Sequence, residues 1–148
     1  SEMKKEKNIP ISADLFGLTT EATDDMGIGQ VWEKAYPYFD YLAPMVYPSH
    51  YPAGHMGYSN PSMHPYEVIN KALSSGIYKI TKISGDKNKI RPWLQDFDLG
   101  ATYTKEMIQQ QIKAVYDNGL TSWMLWDPAN KYTPSALKLE SSSNNNVQ

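Results

Sequence analysis

The sequence contains no cysteine among its 148 residues. Disulfide bonds, catalysis by a thiolate and zinc sites built from cysteine are therefore excluded for this chain. The absence of cysteine does not by itself assign the protein to a cellular compartment, because disulfides are a common but not a general feature of secreted proteins.

The sequence also lacks an excess of basic charge, since it has 14 Lys and Arg against 16 Asp and Glu, and its net charge is -2. Nucleic-acid binding is not expected without a basic field that attracts phosphates. No apolar run reaches the roughly 18 residues that a membrane span requires. Residues 3–5 are basic, but charged residues follow where a signal peptide would be apolar, so no signal peptide is recognised. The sequence leaves open whether a targeting segment lies upstream of it.

Aromatic side chains are abundant, with 11 Tyr and 4 Trp in a total of 12%. Flat amphipathic rings pack against the C–H faces of sugars, and the polar tip of a phenol or indole reaches a hydroxyl. The alternative is that these rings fill the core, and composition alone favours that alternative.

Four apolar runs alternate with helical patterns, and this alternation predicts an α/β fold with a parallel sheet of about four strands. The strands are predicted at residues 9–16, 41–47, 90–97 and 122–126. Because none of these runs alternates cleanly between apolar and polar residues, both faces of the sheet are expected to be covered.

Helices are predicted between and after these strands. They cover residues 28–36, 65–83, 105–117 and 134–139. Pro37 is expected to stop the first helix and Gly76 to weaken the second, while Thr104 caps the third and Gly119 closes it. The sequence thus predicts one domain over residues 1–140, and the polar tail 141–148 is predicted to be disordered.

The connection at residues 48–64 is long and follows the second predicted strand, where parallel α/β folds place function. It contains His50, His55 and His64. Their spacing does not match ligands on one helix face, so we expect no metal and no other cofactor, with a zinc site in this loop as the alternative.

Several motifs resemble those of a family of bacterial domains described as glycoside hydrolase-like. The segments YLAPMVYPSHY at 41–51, RPWLQDF at 91–97 and WMLWDPANKY at 123–132 carry the likeness. SADLFG at 12–17 and GIGQ at 27–30 match as well, and the whole likeness extends over residues 9–137. Members of the family resemble chitinase-like and amylase-like TIM barrels, and these motifs correspond to their fifth to eighth strands.

The resemblance implies that this chain is the C-terminal half of a (β/α)8 barrel, since a complete barrel takes about 250 residues. A half barrel would expose strand edges and the inner face of its sheet. We therefore expect a fragment that is completed by the missing N-terminal half-barrel or by a second copy of the chain. The resemblance also implies a polysaccharide substrate and an extracellular or cell-surface location.

Glycoside hydrolysis usually needs two carboxyl groups, and in a barrel these lie at the C-terminal ends of strands. Asp14 on the first strand and Asp96 on the third are the predicted catalytic pair. Strand parity places Asp14 on the same face as Ser12 and Phe16, which is the face expected to look into the barrel. The alternatives are that Asp14 caps a loop and that Asp96 or Asp98 opens an Asx turn.

Six further residues are predicted to bind the substrate. They are Tyr47, His50, Gln95, Asp98, Trp126 and Asp127. By resemblance, Tyr47 lines the sugar site and Trp126 forms its floor, whereas packing inside the barrel is the alternative for both. Trp93 is left open, since it could face the helices. A Ser49–His50–Asp triad is not favoured, because adjacent side chains are expected to point apart and no Gly-x-Ser-x-Gly turn is present.

The sequence therefore predicts a glycoside hydrolase domain that acts on a polysaccharide through carboxylates at strand ends. One alternative is a carbohydrate-binding barrel module that lacks a complete carboxylate pair. A second alternative is a structural unit that is inert by itself.

Overall fold

The computed structural model describes residues 9–137, which contain a single sheet of four parallel strands. The strands are β1 (Ser12–Phe16), β2 (Tyr41–Met45), β3 (Trp93–Gln95) and β4 (Met124–Trp126). They lie side by side in chain order. The predicted α/β fold with a parallel sheet is confirmed. That this fold is half of a barrel stays a prediction. The tail at 141–148, predicted to be disordered, lies outside the described residues.

Three α-helices connect or follow the strands within this range: α1 (Trp32–Ala35), α2 (Pro65–Lys82) and α3 (Lys105–Asp117). Thr104 caps α3 as expected, because its side chain accepts a hydrogen bond from the Met107 N–H. A 3-10 turn at Pro134–Leu137 occupies the described part of the predicted last helix. None of the helices within residues 9–137 has the length and hydropathy needed to cross a membrane.

The first predicted helix is wrong in its boundaries. Gly27 and Gly29 take left-handed φ values of 69° and 73°, so the chain cannot be helical at residue 28 and α1 begins only at Trp32. Pro37 does not stop the turn either, because the chain continues as a 3-10 helix over Tyr36–Tyr38.

Proline also shortens two predicted strands. β1 begins after Pro10 and β3 begins after Pro92, since proline has no N–H to donate to the sheet. The carbonyl of Pro92 still accepts a hydrogen bond from the Met124 N–H at 2.9 Å. The four strands are therefore present where expected, but shorter than the apolar runs predicted.

Gly76 does not interrupt α2. The indole N–H of Trp32 donates to the Gly76 carbonyl oxygen at 3.0 Å, and Trp32 is fully buried. A Cβ at position 76 would lie 3.2 Å from the Thr20 methyl and 3.4 Å from the Trp32 ring. The glycine thus permits the close approach of α1 to α2.

The hydrophobic core lies between the sheet and the helices, on one face of the sheet. Strand residues Leu15, Leu42 and Leu94 are buried there with aliphatic residues of the helices. The helical contributors include Val68, Ile69, Leu73, Ala114 and Val115. Along each strand, the aliphatic residues of this face alternate with residues of the opposite face. Because many residues of the opposite face are aromatic and only some are polar, the strands read as apolar runs.

The opposite face, which we call the open face, is uncovered within residues 9–137. Ser12, Asp14 and Phe16 are exposed on β1, and Phe16 and Tyr41 retain 53% and 37% of their surface. Trp126 on β4 is 42% exposed. The apolar runs predicted that both faces of the sheet are covered, but residues 9–137 cover only one face. The open face presents polar and aromatic residues of the strands.

Candidate functional site

The centre of the open face is a hydrogen bond between two strands that are not neighbours. Trp93 on β3 donates its indole N–H to Oδ1 of Asp14 on β1 at 2.9 Å. The intervening strand β2 places Ala43 beside Asp14 and Met45 beside Trp93. The small Ala43 leaves room for the indole to reach across β2, so Trp93 lies on the open face and does not face the helices.

Trp126 adds a second indole to this face. Its ring lies edge-on to that of Trp93, with centroids 6.0 Å apart and an interplanar angle of 80°. Because Trp126 remains 42% exposed, its ring offers a surface on which a sugar ring can stack. Asp14, Trp93 and Trp126 are thus brought together at the C-terminal half of the sheet.

Tyr47 lies beyond the end of β2 and is nearly buried. Its ring is 5.3 Å from that of His50 and 5.5 Å from that of Phe97. Burial raises the pKa of Tyr47 far above its ordinary value, and the negative charge of Asp14 and of ionised Tyr132 raises it further. A tyrosine hydroxyl is protonated at neutral pH without any shift, and the raised pKa only extends that range, so Tyr47 keeps a hydroxyl that can donate to a substrate oxygen.

His50 lies at the rim of the same region and is exposed. Its Nδ1 is 3.0 Å from the Ser49 hydroxyl, so the expectation that these adjacent side chains point apart is wrong. Within the described residues, however, no carboxylate forms a hydrogen bond with His50, so the contact does not make a Ser-His-Asp triad.

Gln95 has no exposed surface. Its side-chain oxygen accepts from the Ser49 N–H at 3.1 Å, and its amide nitrogen donates to the Phe97 carbonyl at 2.9 Å. Gln95 thus ties the turn after β2 to the end of β3, and in this structure it is positioned to hold the loops and not to touch a ligand.

Asp96 is similarly engaged. It is 4% exposed, and both its oxygens accept hydrogen bonds of 2.8 Å from Thr133, one from the backbone N–H and one from the hydroxyl. Its backbone N–H donates to the carbonyl oxygen of Trp126 at 2.9 Å, so Asp96 lies beside the strand that carries the exposed indole. The carboxylate of Asp96 therefore anchors the segment after β4.

Asp98 and Asp127 line a shallow cleft of about 440 Å³ at the ends of β3 and β4, together with Lys131. Asp98 accepts from the Tyr103 N–H at 2.7 Å, and Asp127 accepts from the Ala129 N–H. One oxygen of each carboxylate thus stabilises a local turn, which is the alternative role that Asp residues after strands commonly take.

The three histidines of the long loop do not gather. His50 packs on Tyr47 and Phe97, while His64 stacks on Tyr58 with centroids 3.7 Å apart. Over residues 9–137, no group of three or more His, Cys, Asp or Glu side chains is arranged to hold a metal ion.

His55 instead contributes to a buried polar cluster with Glu21 and Tyr51. His55 Nε2 lies 3.6 Å from Glu21 Oε1, and these two atoms and the Tyr51 hydroxyl are buried without a hydrogen-bond partner. Burial raises the pKa of Glu21, opposed by the positive charges of His55, Lys71 and Lys79. This cluster joins the segment after β1 to the long loop.

Comparison with protein families identifies the chain. The family described as "putative glycosyl hydrolase domain" matches residues 1–132, which is most of the sequence. The chain belongs to that glycosyl hydrolase domain family. No curated protein and no solved structure matches it. The resemblance seen in the motifs is therefore confirmed at the level of the family.

A glycosyl hydrolase domain of the usual kind needs two carboxyl groups around the scissile bond. Of the two predicted here, Asp14 lies on the open face and uses only Oδ1 in the hydrogen bonds of the described residues. Asp96 has both oxygens occupied by Thr133. The two aspartates therefore differ in their hydrogen bonds: Asp14 is exposed with one oxygen engaged, whereas both oxygens of Asp96 are held by Thr133 in the wall of the cleft.

Sequence reasoning did not select Trp93, Phe97 or Tyr132 for this site. Trp93 could have been found from parity, because it lies two residues before Gln95 on β3 and so shares the face of that predicted site residue. No local signal indicated Phe97 or Tyr132, since both reach the site from loops whose course depends on tertiary contacts.

Proposed function

We propose that this glycosyl hydrolase domain acts on a polysaccharide and that Asp14 is the carboxylate which this chain supplies. The observation that carries the proposal is the Trp93 to Asp14 hydrogen bond of 2.9 Å beside the exposed ring of Trp126. It combines, on one face, a carboxylate fixed in position and an aromatic surface. A glycosidase needs both, one to stabilise the oxocarbenium-like transition state and one to hold the sugar.

The hydrogen bond from Trp93 orients the carboxylate of Asp14 and leaves Oδ2 for a substrate or a water molecule. A fixed acceptor is better placed for catalysis than a free side chain, because its orientation entropy has already been lost on folding. Tyr47 complements it as a donor, since its hydroxyl is protonated at neutral pH and its ring is held against His50 and Phe97. Trp126 provides the stacking surface.

The open face supports the proposal that the site is completed by further chain. Phe16, Tyr41 and Trp126 are large residues left exposed on it, and β1 and β4 form its edges. The missing N-terminal half-barrel or a second copy of this chain would cover that face and supply the second carboxylate. A separation of about 5 Å from Asp14 would then predict retention, and one of roughly 6.5–9.5 Å would predict inversion.

A polysaccharide substrate also favours an extracellular or cell-surface location for the complete protein. This part of the proposal rests on the substrate class and on the family resemblance. It is testable by fractionating cells that express the complete protein.

A binding module without catalysis is the second candidate function. It is supported by the engagement of Asp96, because only one carboxylate of the predicted pair then remains on the open face. Asp14 would in that case accept hydrogen bonds from sugar hydroxyls, with Trp126 stacking as before.

Calorimetric titration with a panel of oligosaccharides, followed by an assay for new reducing ends, tests the proposal and separates the two candidates. We expect binding that is lost in Trp126→Ala and kept in Tyr78→Ala, a control that removes an aromatic ring exposed on α2. Release of reducing ends by the complete protein supports the hydrolase, whereas binding without release supports the module. Equal binding by both variants would contradict a sugar site on the open face.

A further inference from the structure

A cavity of about 260 Å³ lies at the C-terminal ends of β1 and β2, and we call it the β1–β2 pocket. Phe16 and Met45 lie on its strand side, Met26 comes from the segment after β1, and Tyr47 and His50 come from the turn after β2. None of its lining residues is an aspartate, glutamate, lysine or arginine. The pocket is therefore apolar, with histidine and tyrosine as its polar groups.

The pocket adjoins Asp14. Phe16 follows Asp14 by two residues on the same strand face, which is a distance of about 7 Å along a strand. Met45 is paired with Phe16 on one side and with Trp93 on the other. A molecule seated over Asp14 and Trp93 would thus reach the pocket with a neighbouring substituent.

The volume of the β1–β2 pocket limits what it can hold. Sites for whole small molecules usually measure roughly 300–1,000 Å³, so 260 Å³ fits part of a ligand. The thioethers of Met26 and Met45 are polarizable and adapt to irregular apolar groups. An alkyl or aryl group matches this lining, whereas a sugar ring with its hydroxyls would leave its polar groups without partners.

The backbone is shaped to bring Met26 over the pocket. Met26 has a φ of 52°, a left-handed conformation that is uncommon for a long side chain. Its N–H donates to Asp24 Oδ1 at 2.9 Å, and the next N–H, of Gly27, donates to Asp25 Oδ1 at 3.0 Å. Met26 is half-buried while both residues beside it are exposed. Residues held in such conformations are enriched at ligand-binding segments.

We propose that the β1–β2 pocket is a subsite for an apolar substituent of the polysaccharide, an alkyl or aryl group attached to the sugar unit that lies at Asp14 and Trp126. The inference rests on the proposed function, because the sugar site gives the substituent its point of attachment. It adds that the sugar unit bound at Asp14 carries an apolar group.

The test uses methyl, butyl and hexyl β-D-glucosides as probes, with the 148-residue chain labelled at its methionine methyl groups. Each methylene buried in the pocket should tighten binding about fourfold, so the butyl glucoside should bind at least tenfold more tightly than the methyl glucoside. The NMR signals of Met26 and Met45 should shift as the glucoside is added, with the same dependence on glucoside concentration as the binding itself. Equal affinity of the methyl and hexyl glucosides would overturn the proposal.

Met26→Asn and Ile28→Asn form a matched pair of variants. Both replace an apolar residue of the same segment, but Ile28 does not line the pocket. Asparagine tolerates left-handed φ, so Met26→Asn should keep the fold, which thermal denaturation can confirm. We expect Met26→Asn to lose most of the alkyl-dependent gain and Ile28→Asn to keep it. The same loss in both variants would refute the assignment.

Trp126→Ala distinguishes the pocket from the sugar site. If the alkyl-dependent gain persists while binding of the methyl glucoside is insensitive to Trp126→Ala, the apolar subsite stands and the proposed sugar site fails. If Trp126→Ala weakens binding of every glucoside but chain length has no effect, the sugar site stands and the apolar subsite fails.

Discussion

The Asp96→Ala variant is expected to unfold more easily than the unsubstituted chain. This prediction is the sharpest test of the different roles assigned to Asp14 and Asp96. Asp96 is 4% exposed and accepts two hydrogen bonds of 2.8 Å from Thr133. These bonds join the end of β3 to the segment after β4, 37 residues further along the chain. Their loss would leave the Thr133 N–H without its partner and the 3-10 turn at Pro134–Leu137 without its anchor.

The size of the effect follows from the two bonds. A hydrogen bond to a charged group contributes about 1.5–3 kcal/mol, so the loss of both bonds in Asp96→Ala should lower the free energy of unfolding by about 3–6 kcal/mol. For a chain of this length each kcal/mol shifts the Tm by roughly 2–4 °C. Urea denaturation followed by circular dichroism should show a lower midpoint with an unchanged slope.

Two variants provide the controls for this experiment. Thr133→Val removes only the hydroxyl donor and should cost about half as much as Asp96→Ala. Asp14→Asn changes an exposed residue and should alter stability by no more than about 0.5 kcal/mol. If Asp96→Ala unfolds at the same urea concentration as the unsubstituted chain, the structural role assigned to Asp96 is refuted.

Three further variants probe the scaffold around the site. Glu21→Gln should remove a pH dependence of stability. Because burial raises the pKa of Glu21 in the folded chain, the free energy of unfolding of the unsubstituted protein should fall as pH rises from about 4.5 to that raised pKa. The fall should be up to about 1.4 kcal/mol per pH unit, and urea denaturation across pH measures it. Gly17→Ala should cost about 1–3 kcal/mol, since its Cβ would lie 2.5 Å from the Met45 carbonyl oxygen, and an unchanged Tm would contradict that packing. Gln111→Leu should cost about 2–4 kcal/mol, because Gln111 pairs with the buried backbone N–H and C=O of Gln95, and calorimetric unfolding can measure the loss.

The fold was largely predictable because its signals are local. Thr104 and Gly119 marked the ends of α3, and apolar runs marked every strand. The errors arose where one residue overrides a pattern, as when left-handed Gly27 and Gly29 delay α1. Periodicity is blind to such backbone conformations.

The site was less predictable, because its geometry depends on long-range contacts. Parity alone placed Asp14 on one strand face with Ser12 and Phe16, and all three are exposed on β1. Asp96 follows the last residue of β3, and its direction is set by Thr133, which no pattern near position 96 reveals. Gln95 has the parity of the open face, but it is buried because its side chain bonds to the turn after β2.

The most direct measurement of the central claim is the turnover number of Asp14→Asn in the completed barrel that we propose, on the oligosaccharide it cleaves best. Removal of a positioned carboxylate should lower kcat by roughly 10²–10⁴-fold with the stability unchanged. Oligosaccharide binding should persist, because Trp126 and Tyr47 remain. A kcat equal to that of the unsubstituted protein would contradict the assignment of Asp14 and, with it, the active site placed on the open face.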